Sequence, residues 1–200
     1  MRNNRTITAA TVGPLLLGGA IAGLSVVQYD FMRALGWHPV SAPTVDWPSG
    51  LALGPHGWLM DAAFVISGVL LARFGHGAAA LLAGDAPPRA LRWGGALIVG
   101  AGLALALLAF RTDLTNSAGP RTWHGNLHDA AYVALGTTLL PGMALLGAGL
   151  WQHGRHGLAL YTALTLAAAV PGFVIKGWLF YAFLAALLAW FPIIARRGSR

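Results

Sequence analysis

From Gly157 to Ala195 the chain carries a single charged residue, Lys176. A helix that crosses a bilayer needs roughly 20 mostly apolar residues, within a range of about 17 to 25. The stretch is too long for one such helix and the right length for two. Its punctuation lies between Pro171-Gly172 and Lys176-Gly177-Trp178. A stop at Pro171 would leave the first helix of the pair too short, so the turn is placed at Lys176-Gly177.

The same reading applied upstream gives apolar spans at about 11–29, 57–74, 93–110 and 128–150, followed by 157–175 and 178–195. The first follows Arg2 and Arg5 and has the outline of a signal peptide. Its length, and the lack of a small-x-small cleavage site before the polar segment, favour a retained first helix. The chain therefore reads as an all-α membrane protein: a single domain over residues 1–200, a bundle of six transmembrane helices with a long Pro/Trp-rich outer first loop.

Composition agrees. Hydrophobic residues make up 56% and charged residues 10%, with no Glu, whereas a soluble surface calls for roughly 25% charged. Cysteine is absent, which excludes disulfides and thiolate metal sites and leaves imidazole, carboxylate, carbonyl or water for any metal. The net charge of +7 is spread thinly, without basic runs interleaved with aromatics, so nucleic acid is not an expected partner. Membrane lipids are, and the charge reads as orientation instead. Nine Lys/Arg fall on the side of Arg2, Arg5, Arg155 and Arg196, against four (Arg33, Arg111, Arg121, Lys176) on the other. The positive-inside rule then places both termini in the cytoplasm, and the plasma (inner) membrane is the expected location. Trp37, Trp47, Trp58, Trp123 and Trp178 are expected at the outer interface, and Trp93 and Trp151 at the inner one.

Glycine crowds the spans. Gly95 and Gly102, and Gly142 and Gly149, are spaced seven apart, as seams of close helix approach would be. Ser67 reads as a packing hydroxyl within the second span. His76, His153 and His156 sit beside glycines and read as residues of cytoplasmic loops.

Chemistry-bearing side chains gather at the outer face: Asp30, His38, Asp46, His56, Asp61, Asp113, His124, His128 and Asp129. Asp85 alone among the acids lies inside. The 30–56 loop holds four X-Pro steps, His38-Pro39, Ala42-Pro43, Trp47-Pro48 and Gly54-Pro55, and reads as a rigid cap over the helix ends. His124 and His128 stand at i and i+4, on one face of a helix that starts by then. With Asp113 and His56 at the same depth, they form a candidate divalent-metal set of the kind that holds zinc. Asp61 and Asp129 would be spare carboxylates for general-base chemistry. Capping and hydrogen bonding account for the same residues without a metal, since Asp61 and Asp129 fall in first turns where negative charge suits the helix dipole.

Phe110-Arg111-Thr112-Asp113 closing the third span, with Gly125 and His128 opening the fourth, resembles the Phe-x-x-Asp and Gly-x-x-His elements of the bacterial membrane family known as domain of unknown function 998. The likeness runs from about Thr11 to Arg197 and implies a six-helix membrane protein without implying an activity. The chain departs from the family in lacking a proline within the Phe-x-x-Asp element. An Asp with three His at helix ends is also similar to the metal-dependent intramembrane hydrolases that include alkaline ceramidases. The six-helix plan is similar to eukaryotic lipid-remodelling proteins of lipid-anchor maturation. Both imply a lipid as ligand or substrate. Two functions follow as expectations: a membrane protein with an outer polar pocket binding a lipid or small molecule, or a metal-dependent hydrolase of a lipid-like substrate.

Overall fold

A computed structural model describes residues 2–84, 86–114, 119–175 and 177–198. Asp85, expected on the inner side, Lys176 of the last turn, and Arg200, one of the nine basic residues on the side of the termini, lie outside them. Every regular element among the described residues is helical: α1 (Arg2–Val27), α2 (Tyr29–Ala34), a 3-10 helix (Ser49–Leu53), α3 (Gly57–Ala83), α4 (Arg89–Leu107), α5 (Trp123–Gln152), α6 (His156–Val174) and α7 (Trp178–Gly198). Five helices, within the bounds Asn4–Val27, Gly57–Ala83, Arg89–Leu107, Trp123–Gln152 and Trp178–Gly198, are long and apolar enough to cross a membrane. α6 is a further helix of 19 residues, packed between α5 and α7.

The helices form a closed ring in the order α1, α3, α4, α5, α6, α7, with α7 returning to α1. Consecutive spans are neighbours, as short connections require. Both chain ends lie at one end of the ring. Gly77 of α3 abuts Thr6, Gly198 abuts Leu82, and Arg155 reaches the Gly198 carbonyl. The 30–56 segment covers the other end.

Several helices run past the expected spans, α1 and α3 farthest. α1 begins at Arg2, and α3 continues to Ala83 because Gly75–Ala83 contains neither a proline nor an acidic residue to stop it. His76 is therefore an exposed residue of α3, not of a loop. The helix ends at Gly84, whose φ of 70° suits a residue without a Cβ, and Pro87-Pro88 prevent its resumption.

α3 and α4 make the closest approach. A Cβ on Gly68 would stand 2.5 Å from the Gly102 carbonyl oxygen, and one on Gly75 would stand 2.7 Å from that of Gly95. The two glycine pairs run antiparallel and seven residues apart, so backbone meets backbone, as small residues permit in lipid. The half of the core nearer the first turns of α1 is filled by Phe74, Leu91, Ile98, Met143, Leu146 and Trp190. The half beneath the 30–56 segment is filled by Leu17, Ile21, Met32, Leu51, Met60 and Phe64. Ser67 donates to the Gly13 carbonyl at 3.1 Å, a packing bond between α3 and α1. Trp190 donates its indole N–H to Thr162 at 3.0 Å, satisfying the polar atom of a buried ring.

The cap is riveted by aromatics. Trp37 stacks on Trp47 with centroids 6.5 Å apart and planes at 7°, and Trp47 meets the Tyr181 ring of α7 edge-on at 4.6 Å. The Trp47 indole donates to Ser25 of α1 at 2.9 Å, and that of Trp37 to the Tyr181 hydroxyl at 3.1 Å. Trp37 is thus buried in the cap, whereas Trp58, Trp93, Trp123, Trp151 and Trp178 are exposed near helix ends. Buried Gln28 ties the cap to α3, donating to the Leu51 carbonyl at 3.0 Å and accepting from the His56 backbone N–H at 2.9 Å.

Candidate functional site

The outer polar residues resolve into a clasp between α4 and α5, two ion pairs, and one histidine that stands apart. The clasp starts with the carbonyls that the end of α4 leaves without helical partners. His128, buried on α5, directs Nδ1 at the Phe110 carbonyl (2.7 Å) and the Leu108 carbonyl (3.1 Å). Carbonyls only accept, so Nδ1 carries a proton. Nε2 meets the Ser49 hydroxyl of the 3-10 helix at 3.1 Å. Both imidazole nitrogens are spent.

Asp113 closes the second half. Its carboxylate accepts from the Thr122 backbone N–H and hydroxyl, each at 2.8 Å. Thr122 caps α5, accepting from the Gly125 N–H at 3.0 Å, the usual service of an N-cap threonine. A Cβ on Gly125 would collide with the Asp113 carboxylate, which explains the glycine. His124 Nδ1 lies 2.9 Å from the Arg111 carbonyl and therefore carries the proton. The hydroxyl and backbone N–H of Thr122, in that order, hold the Asp113 carboxyl below its ordinary value, with His124 and Arg121 assisting. The Phe-x-x-Asp and Gly-x-x-His elements are the two halves of one fastening: the first supplies a carbonyl and a carboxylate, and the second an imidazole and the space for that carboxylate.

Asp61 pairs with Arg111 at 3.3 Å, and Asp129 with Arg121 at 2.9 Å. Each spare carboxylate thus faces a guanidinium. The Asp61 Oδ1 atom is buried and has no hydrogen-bond partner among the described residues.

The four-ligand metal set of His56, Asp113, His124 and His128 is not assembled. Among the described residues no group of three or more His and Asp side chains gathers closely enough to hold a metal ion. The reason is local: His128 is consumed by backbone carbonyls and Ser49, Asp113 by Thr122, and His56 faces another region. Helical spacing fixed the face of His124 and His128 but not where their lone pairs go. Thr122, Ser49 and Gln28, which organise this end of the bundle, carry no ionisable group and drew no attention in the sequence. Their one legible signal is threonine immediately before a helix start.

A fall in pH should loosen the clasp. A carboxyl whose folded pKa is depressed contributes stability above its unfolded value, near 3.8, and loses it as pH falls through the lower folded value. Fluorescence of Trp123, adjacent to Thr122, should therefore change in acid with a midpoint below 3.8, and Asp113→Asn should abolish that transition. A change only at higher pH would assign it to another group.

His56 heads a different feature. Between α1 and α3 lies a groove of about 600 Å³, open along the side of the bundle. Leu16 and Ile66 lie toward its deep end, Val27 and His56 at its outer end, and Gly19 and Gly23 line it between. A Cβ on either glycine would meet nothing within 4 Å, so these glycines do not mediate helix contact as Gly68 and Gly102 do. The His56 ring is exposed and makes no hydrogen bond to protein among the described residues. From Leu16 to Val27 the groove follows α1 for about 16 Å at 1.5 Å per residue, close to one leaflet of a hydrocarbon core roughly 30 Å thick.

A family model described as "Protein of unknown function (DUF998)" matches residues 20–197. No curated protein and no solved structure matches the chain.

Proposed function

The chain belongs to the DUF998 family, and we propose that this member is a lipid-binding protein of the plasma membrane that holds one amphipathic lipid of the outer leaflet between α1 and α3. The observation that carries this reading is the groove itself: apolar, one leaflet deep, floored by glycine and headed by an imidazole that has no hydrogen-bond partner among the described residues. An acyl chain lies along Gly19 and Gly23, and the headgroup meets His56 at the depth of exposed Trp58, where amphipathic rings favour the interface. Glycine costs a helix about 1 kcal/mol relative to alanine. At Gly19 and Gly23 no neighbouring backbone requires that cost, and depth for a ligand is what it provides. The clasp and the cap keep the groove's outer end in place, through Gln28 and His56 on one side and Ser49 and His128 on the other.

The test is lipid retention. Native mass spectrometry of protein extracted in mild detergent should find one phospholipid bound, and His56→Ala should weaken retention several-fold while leaving the melting temperature unchanged. Delipidated protein that rebinds no phospholipid would remove the reading.

The orientation belongs to the same proposal: six spans, α6 included, with both termini cytoplasmic on the nine-to-four Lys/Arg balance. The chain has no cysteine, so Ser41→Cys in the cap and His153→Cys at the other end give clean labels. An impermeant maleimide added to intact cells should modify position 41 and spare position 153. The reverse pattern would invert the molecule.

A further inference from the structure

At the end of the bundle that carries both termini, a cleft of about 800 Å³ opens where the α5–α6 turn meets the last turn of α7. Its rim is basic, formed by Arg155, His156 and Arg197, and its wall is apolar, formed by Leu158, Tyr161 and Ile193. We propose that this cleft binds the phosphate headgroup of an anionic phospholipid of the adjacent leaflet, with an acyl chain running down the apolar wall. The inference does not depend on a ligand in the outer groove.

Charge carries the argument. From Ala130 to Arg200 the sequence contains no acidic residue, and neither Arg155 nor Arg197 forms an ion pair among the described residues. Arg155 is positioned by the protein itself. Its Nη1 donates to the carbonyls of Arg197 (3.2 Å) and Gly198 (2.5 Å), where a cation also suits the α7 C-terminus. Among the described residues the rest of its five-donor fork meets no acceptor, and a fork of this kind matches phosphate geometry. Arg197 is exposed and its side chain is committed to no hydrogen bond among the described residues. Beside the cleft, Trp151 packs against His156 with centroids 4.3 Å apart, an aromatic ring at interfacial depth. A basic rim over an apolar wall is complementary to an anionic amphiphile and not to a soluble anion, which would leave the wall unused.

The full chain in bilayer discs of equal parts phosphatidylglycerol and phosphatidylcholine provides the test, with retained lipid counted by native mass spectrometry. Wild type should enrich phosphatidylglycerol. Arg197→Gln should lower that enrichment about fivefold, the typical worth of one arginine at a charged membrane surface, and Arg155→Gln with Arg197→Gln should erase it. Arg155→Gln alone also removes contacts to α7, so Arg197→Gln, which breaks none, keeps the result readable if that variant fails to fold. Enrichment absent in wild type, or unchanged in Arg197→Gln, would overturn the proposal. Full displacement of the lipid by glycerol phosphate would overturn it too, by assigning the cleft to a soluble anion.

Discussion

Gly102→Leu should abolish the folded bundle. A Cβ there would meet the Ala72 backbone nitrogen and stand 2.5 Å from the Gly68 carbonyl oxygen, so the obstacle is main chain, which cannot rotate away. Ordinary overpacking costs roughly 1–3 kcal/mol. Here α3 and α4 must part along the seam they share through Gly68, Gly75, Gly95 and Gly102, and the loss should exceed that range. In detergent the variant should appear as aggregate on size exclusion, and even Gly102→Ala should melt several degrees below wild type. Gly142→Leu should do less harm, because a Cβ at Gly142 stands 3.1 Å from Ile98 Cδ1 and Leu97 Cβ and 3.3 Å from the Gly94 carbonyl oxygen, a milder overlap than the main-chain collision at Gly102. Wild-type melting of Gly102→Ala would mean that the α3–α4 approach is looser than described.

Gly23→Leu should have the opposite profile: normal folding and lost lipid. Nothing lies within 4 Å of a Cβ at this position, so a leucine is sterically free and gains helix propensity over glycine. Its side chain nevertheless occupies the groove where an acyl chain would lie. Together with Gly19→Leu it should eliminate the retained phospholipid while holding or raising the melting temperature. Thus two glycines of similar sequence context are expected to respond in opposite ways, one supporting architecture and one supporting binding.

Most of the fold was legible because burial in lipid demands long apolar helices, and 10% charged residues leave little freedom in where they end. Boundaries slipped where no polar signal marked them, as in α3, where Gly75–Ala83 is as apolar as the span before it. Half of the glycine seam could be read from the spacing of Gly95 and Gly102. Their partners Gly68 and Gly75 could not, because register between helices is a tertiary property. The outer polar residues were found, with capping and metal ligation both open to them, and the described residues bring no three His and Asp side chains together. An i, i+4 histidine pair gives a shared face, whereas the fate of His128 is set by the carbonyls of Leu108 and Phe110 and by Ser49, far away in sequence. The groove was not legible at all. Gly19 and Gly23 look like any small-residue stripe until the neighbouring helix is seen to leave them uncovered.

The central claim is that a lipid occupies the space between α1 and α3. Cross-linking with a photoactivatable phospholipid in reconstituted bilayers, with adducts located by peptide mass spectrometry, addresses it directly. Adducts should concentrate on Leu16, Val27, Leu59 and Ile66, and should disappear from these positions in the Gly19→Leu, Gly23→Leu variant. Adducts spread evenly over the lipid-facing surfaces of all six long helices would contradict the claim. So would their absence from α1 and α3 alongside a protein dimer joined through Gly19 and Gly23, which would give the groove to a second copy of the chain.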